Sequence, residues 1–242
     1  MKKLVLFVVT LLVMSQFGIS QASFGLKAGF NSNKITNIDI GDDDDADLKR
    51  GGGLIIGAIS QFGITDNLSF VGELNLIQKS TKFEGSFDFF GEEATFEDKT
   101  TFNYLEVPLM IRYSAGSSIK FYGNAGPYVA YAMGGKVKSE FSLGDETESE
   151  EGKIKFGKEP VNYMGEDAYL EDEYNRLELG VYLGAGIQTD LGPGSLILDA
   201  RYGIGLSDLN NTDEIYPNGK PDDYEANKYN NIAVSIGYMI NL

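Results

Sequence analysis

The chain has 242 residues, 36 acidic against 20 basic side chains, a formal charge of −16, and neither Cys nor His. A surface of this sign repels nucleic acid. Without Cys or His, the Ser–His, Cys–His and structural-zinc arrangements are excluded, as are disulfides and a lipid-bearing cysteine, and no enzymatic role is expected.

Lys2 and Lys3 precede an apolar run, Leu4 to Met14, broken only by Thr10; Ser20 and Ala22 then stand three and one residues before a possible cut. This is the pattern of a secretory signal peptide over residues 1–22, with residues 23–242 as the mature domain. The alternative, a membrane anchor helix, is disfavoured by the short run and the lack of a stop-transfer flank. No later segment has enough consecutive apolar residues for a membrane helix.

Downstream, the chain alternates with period two, the mark of strands whose faces meet different environments. Phe24–Asn31 and Gly53–Phe62 carry the pattern weakly, Ile55 and Ile59 blurring the second. Leu68, Phe70, Leu74 and Leu76 alternate with Ser69, Glu73, Asn75 and Lys79. Leu105 to Tyr113 alternates with Glu106, Pro108, Met110 and Arg112, and Phe121 to Met133 with Tyr122, Asn124, Gly126, Tyr128, Ala130 and Ala132. Leu177 to Ile187 alternates with Glu178, Gly180, Tyr182, Gly184, Gly186 and Gln188. Leu196 to Leu206 opposes Asp199, Arg201, Gly203 and Gly205, and Ile232 to Leu242 opposes Asn231, Ala233, Ser235 and Gly237.

Short turns at Thr65–Asn67, Ala115–Ser118 and Asp190–Gly194 use residues that tolerate tight dihedrals. They alternate with long polar connections at about Ser32–Gly52, Ser80–Thr100, Gly135–Glu173 and Ser207–Lys228. That asymmetry predicts an all-β protein, an eight-stranded antiparallel up-and-down transmembrane β-barrel in the outer membrane of a Gram-negative-type bacterium. Its long connections lie outside the cell and both termini in the periplasm. A soluble barrel would face its apolar rows inward and its polar rows to water. Here the polar rows are rich in Gly and Ala, which gain nothing when exposed on a strand but make room in a narrow lumen.

In this arrangement Glu73, Glu106, Arg112, Glu178, Asp199 and Arg201 point into the lumen as a charge network, with Tyr122, Tyr128 and Tyr182. Eight strands enclose a space that side chains fill, so these charges must be paired or hydrated.

The four long connections carry 30 acidic and 12 basic residues. Asp42, Asp43, Asp44, Asp45 and Asp47 are weak candidates for Ca²⁺ or Mg²⁺, since hard oxygens suit those ions. The run lacks the glycine and terminal Glu of an EF-hand loop, and solvated, self-repelling loops are the preferred reading; no cofactor is expected. Phe87, Phe89, Phe90, Phe141, Phe156, Tyr163, Tyr169, Tyr216 and Tyr224 stand among the acids. They are fitted to anchor a partner, or equally to pack loops together or extend strands beyond the membrane.

The stretches FGLKAGFN (Phe24–Asn31), YLEVPLMIRY (Tyr104–Tyr113), GNAGPYVAY (Gly123–Tyr131), DARYGIGLSDL (Asp199–Leu209) and NNIAVSIGYMI (Asn230–Ile240) resemble the PorT-like outer-membrane β-barrel family across essentially the whole mature chain. The resemblance implies an eight-stranded outer-membrane barrel and little about activity. The last residue is Leu242 rather than the Phe common in outer-membrane barrels, which shifts any assembly signal to Tyr238 and Ile240. The expected partners are outer-membrane lipid and a protein or ligand at the extracellular loops. Three roles are open: a structural or surface-interaction barrel, a narrow solute channel, and an accessory of a secretion or envelope-assembly machine.

Overall fold

A computed structural model describes residues 22–36, 46–144, 146–156, 168–170, 174–212, 216, 219–222 and 224–241. The signal segment up to residue 21, the acidic run Asp42–Asp45, Asp145 and Tyr163 lie outside the described residues. The strands are β1 (Ala22–Thr36), β2 (Ala46–Gly63), β3 (Leu68–Phe89), β4 (Glu92–Gly116), β5 (Ile119–Leu143), β6 (Glu146–Phe156), β7 (Ala168–Leu170), β8 (Leu177–Leu191), β9 (Gly194–Gly205) and β10 (Lys228–Asn241).

Eight of them close a ring. Each of β1 to β5 pairs antiparallel with the next, β5 continues to β8, and β8 to β9 to β10. β10 returns to β1 in unbroken register from Ser23↔Asn241 to Thr36↔Lys228. The three short turns and both ends of the ring lie at one end, and the long connections at the other.

The polarity of the wall is inverted relative to a soluble protein. Leu26 and Phe30 are 73% and 71% exposed, and Phe121, Ile56 and Leu183 are nearly as bare, whereas Lys79, Arg112, Glu106 and Glu178 are fully buried. Covering one Leu, Ile or Phe side chain with lipid is worth about 1.5–3 kcal/mol, so the outer rows supply the driving force that a core supplies elsewhere.

Two of the expected long loops are largely strand. β3 and β4 form a hairpin that turns only at Phe90–Gly91, and β5 and β6 form another that turns at Gly144. At about 3.4 Å per residue and a tilt near 40°, the 25 residues of β4 rise about 65 Å along the axis, against about 25 Å for an apolar belt. The excess stands beyond the barrel as a sheet, joined at one edge by Ala46–Arg50 of β2.

The alternation persists through these segments but changes sign. On β3 the lumen-facing row Glu73–Asn75–Lys79 becomes Phe83–Phe87, while the lipid-facing row Leu74–Leu76 becomes Lys82–Glu84. β4 does the same, from Glu106 to Phe102 and Phe96 on one side and from Leu105 to Lys99 and Glu97 on the other. On β5 a register shift between Asn103 and Tyr104 of its partner leaves Met133 as an extra residue, and this keeps the sense of the switch. Where lipid gives way to water, the face that was apolar becomes charged, and the sheet stays continuous. The periodicity was legible in the sequence. Its phase reversal, together with the acids, made these segments read as loops.

Candidate functional site

The lumen is built in layers. Nearest the short-turn end, Arg112 on β4 lies with its guanidinium carbon 3.9 Å from the Tyr122 ring centroid and donates from Nη1 to Gln61 Oε1 at 3.0 Å. Above it, Glu73 is the hub of a four-charge cluster. Its carboxylate takes two N–H groups of Arg201, at 2.6 and 2.9 Å, and Lys27 Nζ at 2.5 Å. Asn75 Nδ2 adds a bond at 3.1 Å. Asp199 forms an ion pair with Arg201 Nε and accepts from Tyr122 OH at 2.9 Å and Asn124 Nδ2 at 3.0 Å.

The next layer centres on Lys79. Its ammonium donates to Glu178 Oε1 at 2.7 Å, lies 3.6 Å from Glu106 Oε2, and is ringed by Tyr104, Tyr128 and Tyr229 at 4.9–5.6 Å from their centroids. One ammonium serves two carboxylates here, so hydroxyl donors complete them: Tyr128 to Glu178 at 2.7 Å and Tyr182 to Glu106 at 3.0 Å. Tyr104 and Tyr174 share a 2.6 Å hydrogen bond and Phe102 stacks on Tyr174 at 4.8 Å, closing the top of the barrel with rings.

The tyrosines need flat wall opposite them, and glycine provides it. A Cβ on Gly180 would collide with the Tyr128 ring, and one on Gly186 with Tyr122; each Gly is the cross-strand partner of its ring. The inward glycines thus make room for rings that carry the donors.

All six residues expected in the lumen, Glu73, Glu106, Arg112, Glu178, Asp199 and Arg201, are buried there. They do not form one network. Glu73, Asp199 and Arg201 join each other; Glu106 and Glu178 meet through Lys79; Arg112 forms no ion pair with a carboxylate among the described residues. Lys27 and Lys79, each central to a cluster, stand outside the expected set. Their phase carried the signal, since Lys79 shares the row of Glu73 and Lys27 opposes Leu26 and Ala28.

Beyond the barrel, one sheet face carries charge in transverse rows. Lys49, Lys82, Lys99 and Lys138 are successive cross-strand partners, as are Asp47, Glu84, Glu97 and Glu140. Like charges side by side repel, and ion pairs between the two rows compensate: Lys49 with Glu84, Lys82 with Glu97 at 2.7 Å and Lys138 with Glu140 at 2.5 Å. The opposite face holds Leu48, Phe83, Phe87, Phe96 and Phe141, with Phe83–Phe96 and Phe87–Phe141 ring centroids 5.5 and 6.4 Å apart. Phe90 at the hairpin tip is 94% exposed. Tyr216 packs on Tyr224 at 5.5 Å, and Tyr224 OH donates to Asp208 at 2.7 Å. Asp47, the one described member of the candidate metal run, is exposed beside the Lys49–Glu84 pair. No cluster of three or more metal-binding side chains occurs among the described residues.

Residues 14–211 match the family model described as outer membrane protein beta-barrel domain. Among solved structures the chain is similar to Ail, the attachment invasion locus protein of Yersinia pestis, in complex with the heparin analogue sucrose octasulfate. That match has 13% identity, 90% of this chain and 99% of that one, and a TM-score of 0.37. It is similar also to the outer membrane protein OprG from Pseudomonas aeruginosa, with 10% identity, coverage of 91% and 96%, and a TM-score of 0.38. Neisserial surface protein A matches at 11% identity, with coverage of 89% and 97% and a TM-score of 0.35. No curated protein matches the chain in sequence. With more than three quarters of its length matched by the model, the chain belongs to the outer-membrane β-barrel domain family and is a protein of the outer membrane.

Proposed function

We propose that this protein is a closed barrel that acts through its extracellular sheet and loops, as a structural or surface-interaction element and not as a channel or an enzyme. The observation that carries this reading is the filled lumen. Two charge clusters and a cap of tyrosines occupy it from Gln61 and Arg112 to Tyr174. A permeating solute would have to separate buried ion pairs, at a cost of several kcal/mol for each charge left unpaired. The two-faced sheet beyond the barrel supports the second half. Its aromatic side chains sit on a rigid β scaffold, the setting in which such residues anchor a partner. The narrower PorT-like assignment, and export by cleavage after Ala22, belong to the same proposal and rest on the motifs quoted above.

Planar-bilayer recording tests the closed lumen: the purified barrel is expected to give no stable conductance steps, and reproducible open-channel steps would overturn it. Crosslinking on intact cells followed by pull-down tests the surface role. Capture of envelope-assembly components from the periplasmic side alone would move the assignment to an accessory of that machinery.

A further inference from the structure

The lumen holds four cations, Lys27, Lys79, Arg112 and Arg201, against four carboxylates, Glu73, Glu106, Glu178 and Asp199, all buried. The charges balance in total but not by place. Lys27 and Arg201 match Glu73 and Asp199 one for one, and Lys79 faces both Glu106 and Glu178. The surplus cation is therefore Arg112, in the layer nearest the short turns, the end that faces the periplasm in outer-membrane barrels.

Arg112 has no accessible surface. Its Nη1 is committed to Gln61 and its face to Tyr122. Its Nε and Nη2 make no hydrogen bond among the described residues. These two atoms form one edge of the guanidinium, with parallel N–H bonds spaced to match two oxygens of a single carboxylate or phosphate. Ser114, two residues along the same strand toward the short turn and pointing the same way, also has a buried, unpartnered hydroxyl. Asn124, the cross-strand partner of Arg112, turns its Nδ2 to Asp199 and leaves its Oδ1 unbonded.

We propose that Arg112, assisted by Ser114, binds a small oxyanion bearing a carboxylate or phosphate group that enters the barrel from the periplasmic end. A buried cation with no counter-ion in contact is costly, and an oxyanion on the Nε–Nη2 edge supplies both a contacting negative charge and the missing acceptors.

The experiment measures the heat-modifiability midpoint of the full barrel in a phosphate-free maltoside detergent, with inorganic phosphate added against chloride at constant ionic strength. The absence of lipid makes free phosphate the only source of the group. The wild type is expected to gain roughly 3–6 °C per tenfold increase in phosphate above the dissociation constant, and chloride less. In Arg112→Gln the phosphate gain disappears, and without phosphate this variant melts at or above the wild type, because it removes an unpaired charge. Ser114→Ala keeps the gain at higher phosphate. An equal phosphate response in wild type and Arg112→Gln, or none in the wild type, would overturn the site. If Arg112→Gln fails to fold, phosphorus NMR line broadening of phosphate by the wild type, reduced in Ser114→Ala, carries the test. Absence of broadening refutes it.

Discussion

Glu73 and Arg201 show what a single buried contact does here. Arg201 grips both carboxylate oxygens of Glu73 and also meets Asp199, all without solvent. Removing one partner of such a pair leaves the others uncompensated, a loss of about 3–5 kcal/mol. Arg201→Met is therefore expected to lower the heat-modifiability midpoint markedly in any buffer, unlike Arg112→Gln, and an unchanged midpoint would refute the cluster as a source of stability. Outside the membrane, Tyr224 offers a pH-dependent contact. Partial burial and its hydrogen bond to Asp208 push its phenol from 10 up to about 12. A raised acid favours the protonated folded form, so the contribution is whole below pH 10 and is lost as pH climbs through about 12. Tyrosinate absorbance of wild type minus Tyr224→Phe should show one phenol titrating near 12, and titration at 10 would exclude the contact. At this scale the sequence supplied side-chain types and facing. Partner choice stayed hidden: Asp199 is two residues from Arg201, but Glu73 is 128 residues away.

At the scale of the strand, the period-two pattern was legible wherever one environment bordered it. It located both ends of β8 and β9 closely and understated β1, which runs to Thr36. It failed at β3 to β6, where apolar and polar rows exchange faces at the membrane boundary and acidic composition mimics a loop. The Lys and acid rows of the extension are invisible in one dimension, since they exist only across strands. The hairpins offer a test of the proposed sidedness. A tag at Gly144, in the β5–β6 turn, should be labelled on intact cells, and a tag at Ser117, in the β4–β5 turn, only after the outer membrane is opened. Labelling of Ser117 on intact cells would invert the barrel.

For the whole molecule, closure through β1–β10 removes the sheet edges that would otherwise sit unpaired in lipid. It also fixes how little space remains for the large inward side chains, the basis of the closed lumen proposed above. The sequence by itself determined the class of fold, the eight strands that close the ring and the inward facing of six of the eight buried charges. Each of these follows from local periodicity, because a strand's two faces sort against lipid and lumen residue by residue. Only the tertiary structure decided the rest: that Lys27 and Lys79 complete two separate clusters, that the outer segments continue as one sheet, and that Arg112 forms no ion pair among the described residues. Those outcomes depend on register and shear around a closed ring, which set heights in the lumen by distances between strands far apart in the chain.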